Sequence, residues 1–222
     1  MRKTILACVG SVLLSALSPA IAADMPVKGI RAPYIAPYYN WTGLYLGING
    51  GYGWGTSNWT NTAGVSTGNF GVKGMVAGGT LGYNFQTGAI VWGVEGDFDW
   101  SNIKGSTTVA CPGGCETKNS WLGTGRFRIG YAFDRWLPYI TGGGAAGDVK
   151  MTSVVGSGSQ TRFGWTAGAG IEWGFLSGWS AKVEYLYLDL GTANCAAGIC
   201  GALPVNVKFQ TNLVRAGINY RF

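Results

Sequence analysis

Val214-Arg215-Ala216-Gly217-Ile218-Asn219-Tyr220-Arg221-Phe222 ends the chain. Val214, Ala216, Ile218, Tyr220 and Phe222 fall on one side of an extended strand, and Arg215, Gly217, Asn219 and Arg221 on the other. A period of two sends successive side chains to opposite faces of a sheet. One face suits lipid and the other a wet interior. The same pattern also fits an edge strand of a sandwich, so its meaning rests on the rest of the chain.

Working outward, the alternation recurs. Segments 42–54, 71–85, 89–101, 119–133, 136–149, 162–175, 179–190 and 208–222 read as eight strands. Each is long enough for the roughly 9–11 tilted residues that cross a bilayer. The links Gln86-Thr87-Gly88, Asp134-Arg135 and Leu176-Ser177-Gly178 are short, whereas 55–70, 102–118, 150–161 and 191–207 read as long polar or Gly-rich loops. Alternating short and long connections is the pattern of an outer-membrane barrel. A soluble eight-stranded lipocalin is the competing reading, and it would keep its apolar residues inside. Here Ile90, Trp92, Val94, Phe98 and Trp100 share a face, opposite Glu95, Asp97 and Asp99. Trp121, Phe127, Ile129, Tyr131 and Phe133 oppose Arg126 and Arg128; Phe163, Trp165, Ile171, Trp173 and Phe175 oppose Arg162 and Glu172. Unpaired ions in a dry core would cost several kcal/mol each; a polar lumen or mutual pairing removes most of that. Trp41, Trp54, Trp100, Trp121, Trp136 and Trp179 lie near segment ends, where an aromatic girdle belongs. The expected fold is therefore an all-β, eight-stranded antiparallel up-and-down transmembrane β-barrel over residues 41–222.

Composition agrees. Charged residues are 12% of the 222, against roughly 25% in a soluble domain, and aromatics are 14%. The 39 glycines follow no collagen period. Arg2 and Lys3, the apolar run Ile5 to Leu17 and Ala20-Ile21-Ala22 read as a signal peptide over 1–22. Cys8 belongs to that leader. Residues 23–40, with Pro26, Pro33 and Pro37, read as a periplasmic linker. No run of about 18 apolar residues follows, so no spanning helix is expected. Without Arg2 and Lys3, 14 basic and 10 acidic residues leave +4. That mild excess suits outer-membrane lipid and lipopolysaccharide phosphates, though a generic surface balance accounts for it better. No basic stripe for nucleic acid is present.

The quoted C-terminal strand, with Ile218, Tyr220 and terminal Phe222, resembles the signal read by the barrel assembly machinery of bacterial outer membranes. Trp41-Thr42-Gly43-Leu44-Tyr45-Leu46-Gly47, Gly50-Gly51-Tyr52-Gly53-Trp54-Gly55, Gly93-Val94-Glu95-Gly96-Asp97-Phe98, Arg128-Ile129-Gly130-Tyr131-Ala132-Phe133 and Lys182-Val183-Glu184-Tyr185-Leu186-Tyr187 together resemble the alpha-proteobacterial outer-membrane immunogenic proteins, a porin-family group. The resemblance covers about 41–222 and implies an OmpA-type barrel in the outer membrane of a Gram-negative bacterium. It implies a structural or antigenic role with no defined reaction, with porin activity and haem binding claimed for some members; no cofactor is expected for this chain. The cysteine pairs in the loops depart from the family pattern.

The chemistry open to the chain is narrow. It has no histidine, so a Ser–His arrangement cannot form and no catalytic residues are expected. Haem ligation would have to use Tyr, Met or Cys, and no metal site is expected. Cys111, Cys115, Cys195 and Cys200 read as disulfides in an exported protein. They allow three connectivities. The local pairs close their own loops without distorting a barrel and are preferred, and a four-thiolate zinc site would need a reducing compartment. Glu95, Asp97, Arg126 and Arg128 form one inward charge group and Lys182, Glu184 and Arg215 a second, with Asp99 and Glu172 counted among the same lumen charges. They read as ion pairing that stiffens the barrel, with a rearranging gate as the alternative. Loop groups such as Asn58, Trp59 and Lys104 would supply host or phage contacts. The function expected is a structural surface antigen; the alternatives are a narrow porin for small solutes and a host-ligand or haem-binding surface protein.

Overall fold

A computed structural model describes residues 39–111, 113–198, 200 and 203–222. The leader at 1–22 and the Pro-rich segment up to residue 38 lie outside them. Eight antiparallel strands form one closed ring: β1 (Gly43–Asn61), β2 (Ser66–Thr87), β3 (Ile90–Thr107), β4 (Cys115–Tyr131), β5 (Trp136–Ser153), β6 (Ser157–Leu176), β7 (Trp179–Cys195) and β8 (Val205–Arg221). Each strand pairs with the next, and β8 returns to β1 with Ile218 opposite Ile48. The Phe222 amide donates to the Leu44 carbonyl, so the last residue of the chain completes the closing seam. Closure leaves no edge in the apolar zone, where an unpaired backbone group would cost several kcal/mol.

The outer surface shows why lipid surrounds the ring. Met75, Phe127 and Phe163 are 73, 74 and 80% exposed. They belong to a continuous apolar belt with Leu81, Val94, Ile140 and Ile218, far beyond the patch size a soluble monomer tolerates. Trp54, Trp100, Trp136 and Trp179 are exposed as girdle residues should be, while Trp121 is half-buried.

Two expectations are corrected. The expected long loops are mostly strand. The outer connections shrink to 62–65, 108–114, 154–156 and 196–204, and the ladder between them runs well past the apolar belt. For three of the four connections the reason is β-bulges; the β5–β6 ladder runs unbroken to Thr152 opposite Ser157. Register shifts occur between Asn58 and Thr60, Trp100 and Ile103, Lys118 and Leu122, and Asp189 and Thr192. Each adds a residue and interrupts the period of two. On β4 the inward residues pass from Leu122, Thr124 and Arg126 to Asn119, Thr117 and Cys115. On β7 the switch falls at Gly191, whose φ of 67° favours glycine and whose amide donates to Asp189 Oδ1 at 2.8 Å. Alternation therefore breaks off where the strands only bend.

The second correction concerns tryptophan. Trp41 is buried at the periplasmic end with Val91, Ala132 and Leu137, against half-buried Tyr39. Trp59 does not face the surroundings; it is buried in the barrel, and its Nε1–H donates to Thr117 Oγ1 at 2.8 Å.

Cys111 pairs with Cys115 across the β3–β4 tip, and Cys195 with Cys200 after β7. These are the local pairings. Loops this short contribute about 2 kcal/mol each, and the ladder already reaches their ends. The intact mature chain should weigh four hydrogens less than its reduced form by non-reducing mass spectrometry. A chain with all four cysteines changed to serine should still form the heat-resistant barrel on a cold gel.

Candidate functional site

The lumen holds three layers. The periplasmic floor is the Trp41 cluster. The middle holds Glu95, Asp97 and Asp99 from β3, Arg126 and Arg128 from β4, Glu172 from β6, Lys182 and Glu184 from β7, and Arg215 from β8. The outer layer is mostly apolar, built from residues such as Ile103, Leu122, Met151, Leu188, Phe209 and Leu213, with Ser57, Thr117, Asn119 and Thr211 buried among them. The polar interior expected from alternation is therefore replaced over the outer half by a mostly apolar plug. Along β7 the inward residues read Lys182, Glu184, Leu186, Leu188, Leu190, so one face changes chemistry midway.

The two charge groups separated in the sequence are one network. Arg126 bridges three carboxylates: Glu95 and Asp97 on the neighbouring strand, and Glu184 across the lumen at 2.9 Å. Arg215 contacts Glu184 at 2.8 Å, Asp97 at 3.1 Å and Asp99. Arg128 joins Glu172 at 2.7 Å to Glu95 at 3.4 Å. Lys182 reaches Glu95 at 2.9 Å and Glu184 at 3.4 Å.

Five carboxylates face four cations, and neutral donors complete the set. Tyr45 donates to Glu95 Oε2 at 2.7 Å. Thr80 and Thr124 donate to Asp97, each at 2.8 Å. Asn219 donates to Glu172 Oε1 at 2.9 Å and Ser180 donates to the same oxygen. Tyr139 donates to Glu184 at 3.4 Å, and the Arg128 guanidinium lies 4.0 Å from the Tyr139 ring centroid. Sequence reasoning missed Tyr45, Tyr139, Thr80, Thr124 and Ser180, and placed Asn219 on the inner face without joining it to the charges. Their signal was available: each sits at an inward position of its strand. Tyr45 needs room as well. A Cβ on Gly82 would lie 2.3 Å from its ring, so the ring rests on bare backbone.

Glu95, Asp97 and Glu184 have oxygens within 4.8 Å of one another, a spacing that suits a cation. The Arg126 guanidinium contacts all three and supplies that positive charge itself. Paired carboxylates at this separation therefore serve ion pairing. Breaking such a cluster leaves an uncompensated buried charge, which costs about 3–5 kcal/mol. Arg215→Met should lower unfolding stability in urea by that amount, while Lys104→Met, outside the barrel, should change it by less than about 0.5 kcal/mol.

Comparison with known proteins agrees with this geometry. Residues 6–222 match the family model described as outer membrane protein beta-barrel domain. The 31 kDa outer-membrane immunogenic protein of Brucella melitensis is 37% identical over all of both chains. The 25 kDa outer-membrane immunogenic protein of Brucella abortus is 37% identical over 98% of this chain and 97% of its own. A 22 kDa outer membrane protein of Rhizobium leguminosarum is 37% identical over 76% of this chain and 69% of its own. With lipid-facing aromatics outside and ions paired within, the chain belongs to the outer membrane protein β-barrel domain family and resides in the outer membrane of a Gram-negative bacterium.

Proposed function

We propose that this protein is a closed structural barrel that stiffens the outer membrane and holds four hairpin tips at the cell surface as antigenic display, with no catalytic role. The observation that carries the reading is the three-layer filling of the lumen. An eight-stranded barrel has an interior about wide enough for its own side chains. Here Trp41 and Leu137 occupy one end, the Arg126 and Arg215 clusters the middle, and Met151, Leu188 and Phe209 the other end. Opening a path would separate Arg126 from three carboxylates and also disperse the apolar layer above it. The narrow-porin reading needs both at once.

Display rests on the outer hairpins. Their tips carry exposed Val65, Val109, Val154, Val155 and Leu203, and disulfides brace two of them. The immunogenic names of the Brucella relatives fit such exposure. Host or phage contact would fall on these tips. Ile218, Tyr220 and Phe222 present a lipid-facing aromatic end that suits the barrel assembly machinery.

Single-channel recording tests the reading. The mature chain, with folding verified by heat-dependent gel mobility, should leave a planar bilayer silent. A steady conductance that changes on replacing Arg126 and Arg128 with alanine would make the protein a pore.

A further inference from the structure

Four lysines lie in one row on the outside of the barrel. Lys73 of β2 is paired in register with Lys104 of β3, Lys104 with Lys118 of β4, and Lys118 with Lys150 of β5. Adjacent strands are about 4.8 Å apart, so the row spans roughly 14 Å. Like charges set directly opposite each other repel and weaken a sheet. Here that repulsion is repeated across three successive pairs.

The barrel supplies little to relieve it. The residues beside the lysines, Val72, Ile103, Thr117 and Val149, point inward and are buried, so no lumen carboxylate lies behind the row. Among the described residues no carboxylate lies within 4.0 Å of Lys73, Lys104 or Lys118. Lys150 approaches Asp148 Oδ2 at 3.8 Å, and the other oxygen of Asp148 accepts from the Ser120 and Trp121 amides at the β4 bulge. Glu116 shares the outer surface of β4 with Lys118 and makes no ion pair with it.

The height of the row names its surroundings. Trp54 is the register partner of Lys73 on β1. Met75 lies immediately below Lys73 on β2 and Asn102 below Lys104 on β3, and the paired Trp100 and Trp121 come next, across the bulges of β3 and β4. From Ile90 to Trp100 the outward side of β3 is apolar apart from Gly96. Those ten steps of about 3.3 Å, tilted by about 45°, rise roughly 23 Å, close to the ~25 Å apolar band of such barrels. The next outward positions are Asn102 and Lys104. The row thus sits at the headgroup level on the outer-leaflet side. It occupies only β2–β5; Lys150 is followed on β6 by Ser159.

We propose that Lys73, Lys104, Lys118 and Lys150 form a binding site for the phosphate groups of an outer-leaflet lipid, the multiply phosphorylated lipid anchor of lipopolysaccharide. A headgroup with several negative charges bridges neighbouring ammoniums and turns their repulsion into attraction. The flexible lysine stems lie along the aromatic belt while their ends reach the headgroups. The site depends on the outer-membrane placement and is independent of whether the lumen conducts.

The test is the thermal unfolding midpoint of the full mature chain in uncharged detergent, titrated with bis-phosphorylated lipid A. The native chain should gain a saturable rise, reduced by high salt because exposed charges are screened. The variant K73Q/K104Q/K118Q/K150Q should need about tenfold more lipid for the same rise. K208Q, a lysine outside the row, should respond as the native chain. Without lipid the quadruple variant should melt at or above the native chain, because four repelling charges are gone; K104Q/K118Q provides a milder version with an intermediate lipid response. Equal titrations for native and quadruple chains would overturn the site. So would an equal response to dephosphorylated lipid A. A full rise with millimolar inorganic phosphate alone would make it a free-anion site and overturn the lipid assignment.

Discussion

The ion cluster around Arg126 and Arg215 is the constraint on which the rest of the barrel depends. In water, a strand's register follows from hiding apolar residues on one face. In lipid that rule loses force, because Leu, Val and Phe are at ease on either side of the wall. A charge is not. Moving one residue along β3 would turn Glu95, Asp97 and Asp99 outward together, and the same slip on β4 would expose Arg126 and Arg128. A lipid-facing Arg or Lys at the midplane costs roughly 2–4 kcal/mol. Five of the eight strands carry at least one member of the network, so a single slip breaks contacts to several others. Ion pairing therefore selects the register, and the apolar layers above and below fill the space that this register defines.

The same constraint explains the division of the lumen. Desolvating nine ionised groups is costly unless nearly every polar atom finds a partner. β3, β4, β7 and β8 supply most of the charge, while β1 and β5 supply Tyr45 and Tyr139, whose hydroxyls donate to Glu95 and Glu184. Apolar closure at both ends keeps water from competing for those bonds. A charge layer open to solvent at the outer mouth would be weaker and looser, because a high dielectric reduces each attraction. The plug of Phe209, Leu213 and Met151 and the ion cluster are thus mutually dependent.

Much of this was readable along the chain. The strand count and antiparallel order follow from alternation together with the short links, and the lipid side from alternation, since Arg126 and Glu95 stand on the minority face of obviously apolar strands. What escaped was of two kinds. Bulges hide continuity: the extra residue near Gly191 or Trp121 makes one bent strand look like a strand and a loop. Inward apolar residues hide in a different way. Leu186 and Leu188 alternate with Tyr185 and Tyr187, and no periodicity separates two apolar faces. Trp59 was ambiguous for the same reason, because a tryptophan fits a girdle, a loop tip or a core equally well.

Extension of the ladder beyond the apolar belt changes how the outer surface works. A long loop can place its charges anywhere, whereas a paired strand fixes them at intervals set by the sheet. Lys73, Lys104, Lys118 and Lys150 are scattered over 78 sequence positions and become neighbours only because four strands hold register past the bulges. Net charge cannot express that arrangement, since a +4 excess spread evenly would be inert. The bulges at Trp100/Ile103 and Lys118/Leu122 lie just below the lysines and set the register of the rows above them. The irregularities that ended the sequence pattern therefore position the outer cations, and the inner charges hold the strands on which those irregularities sit.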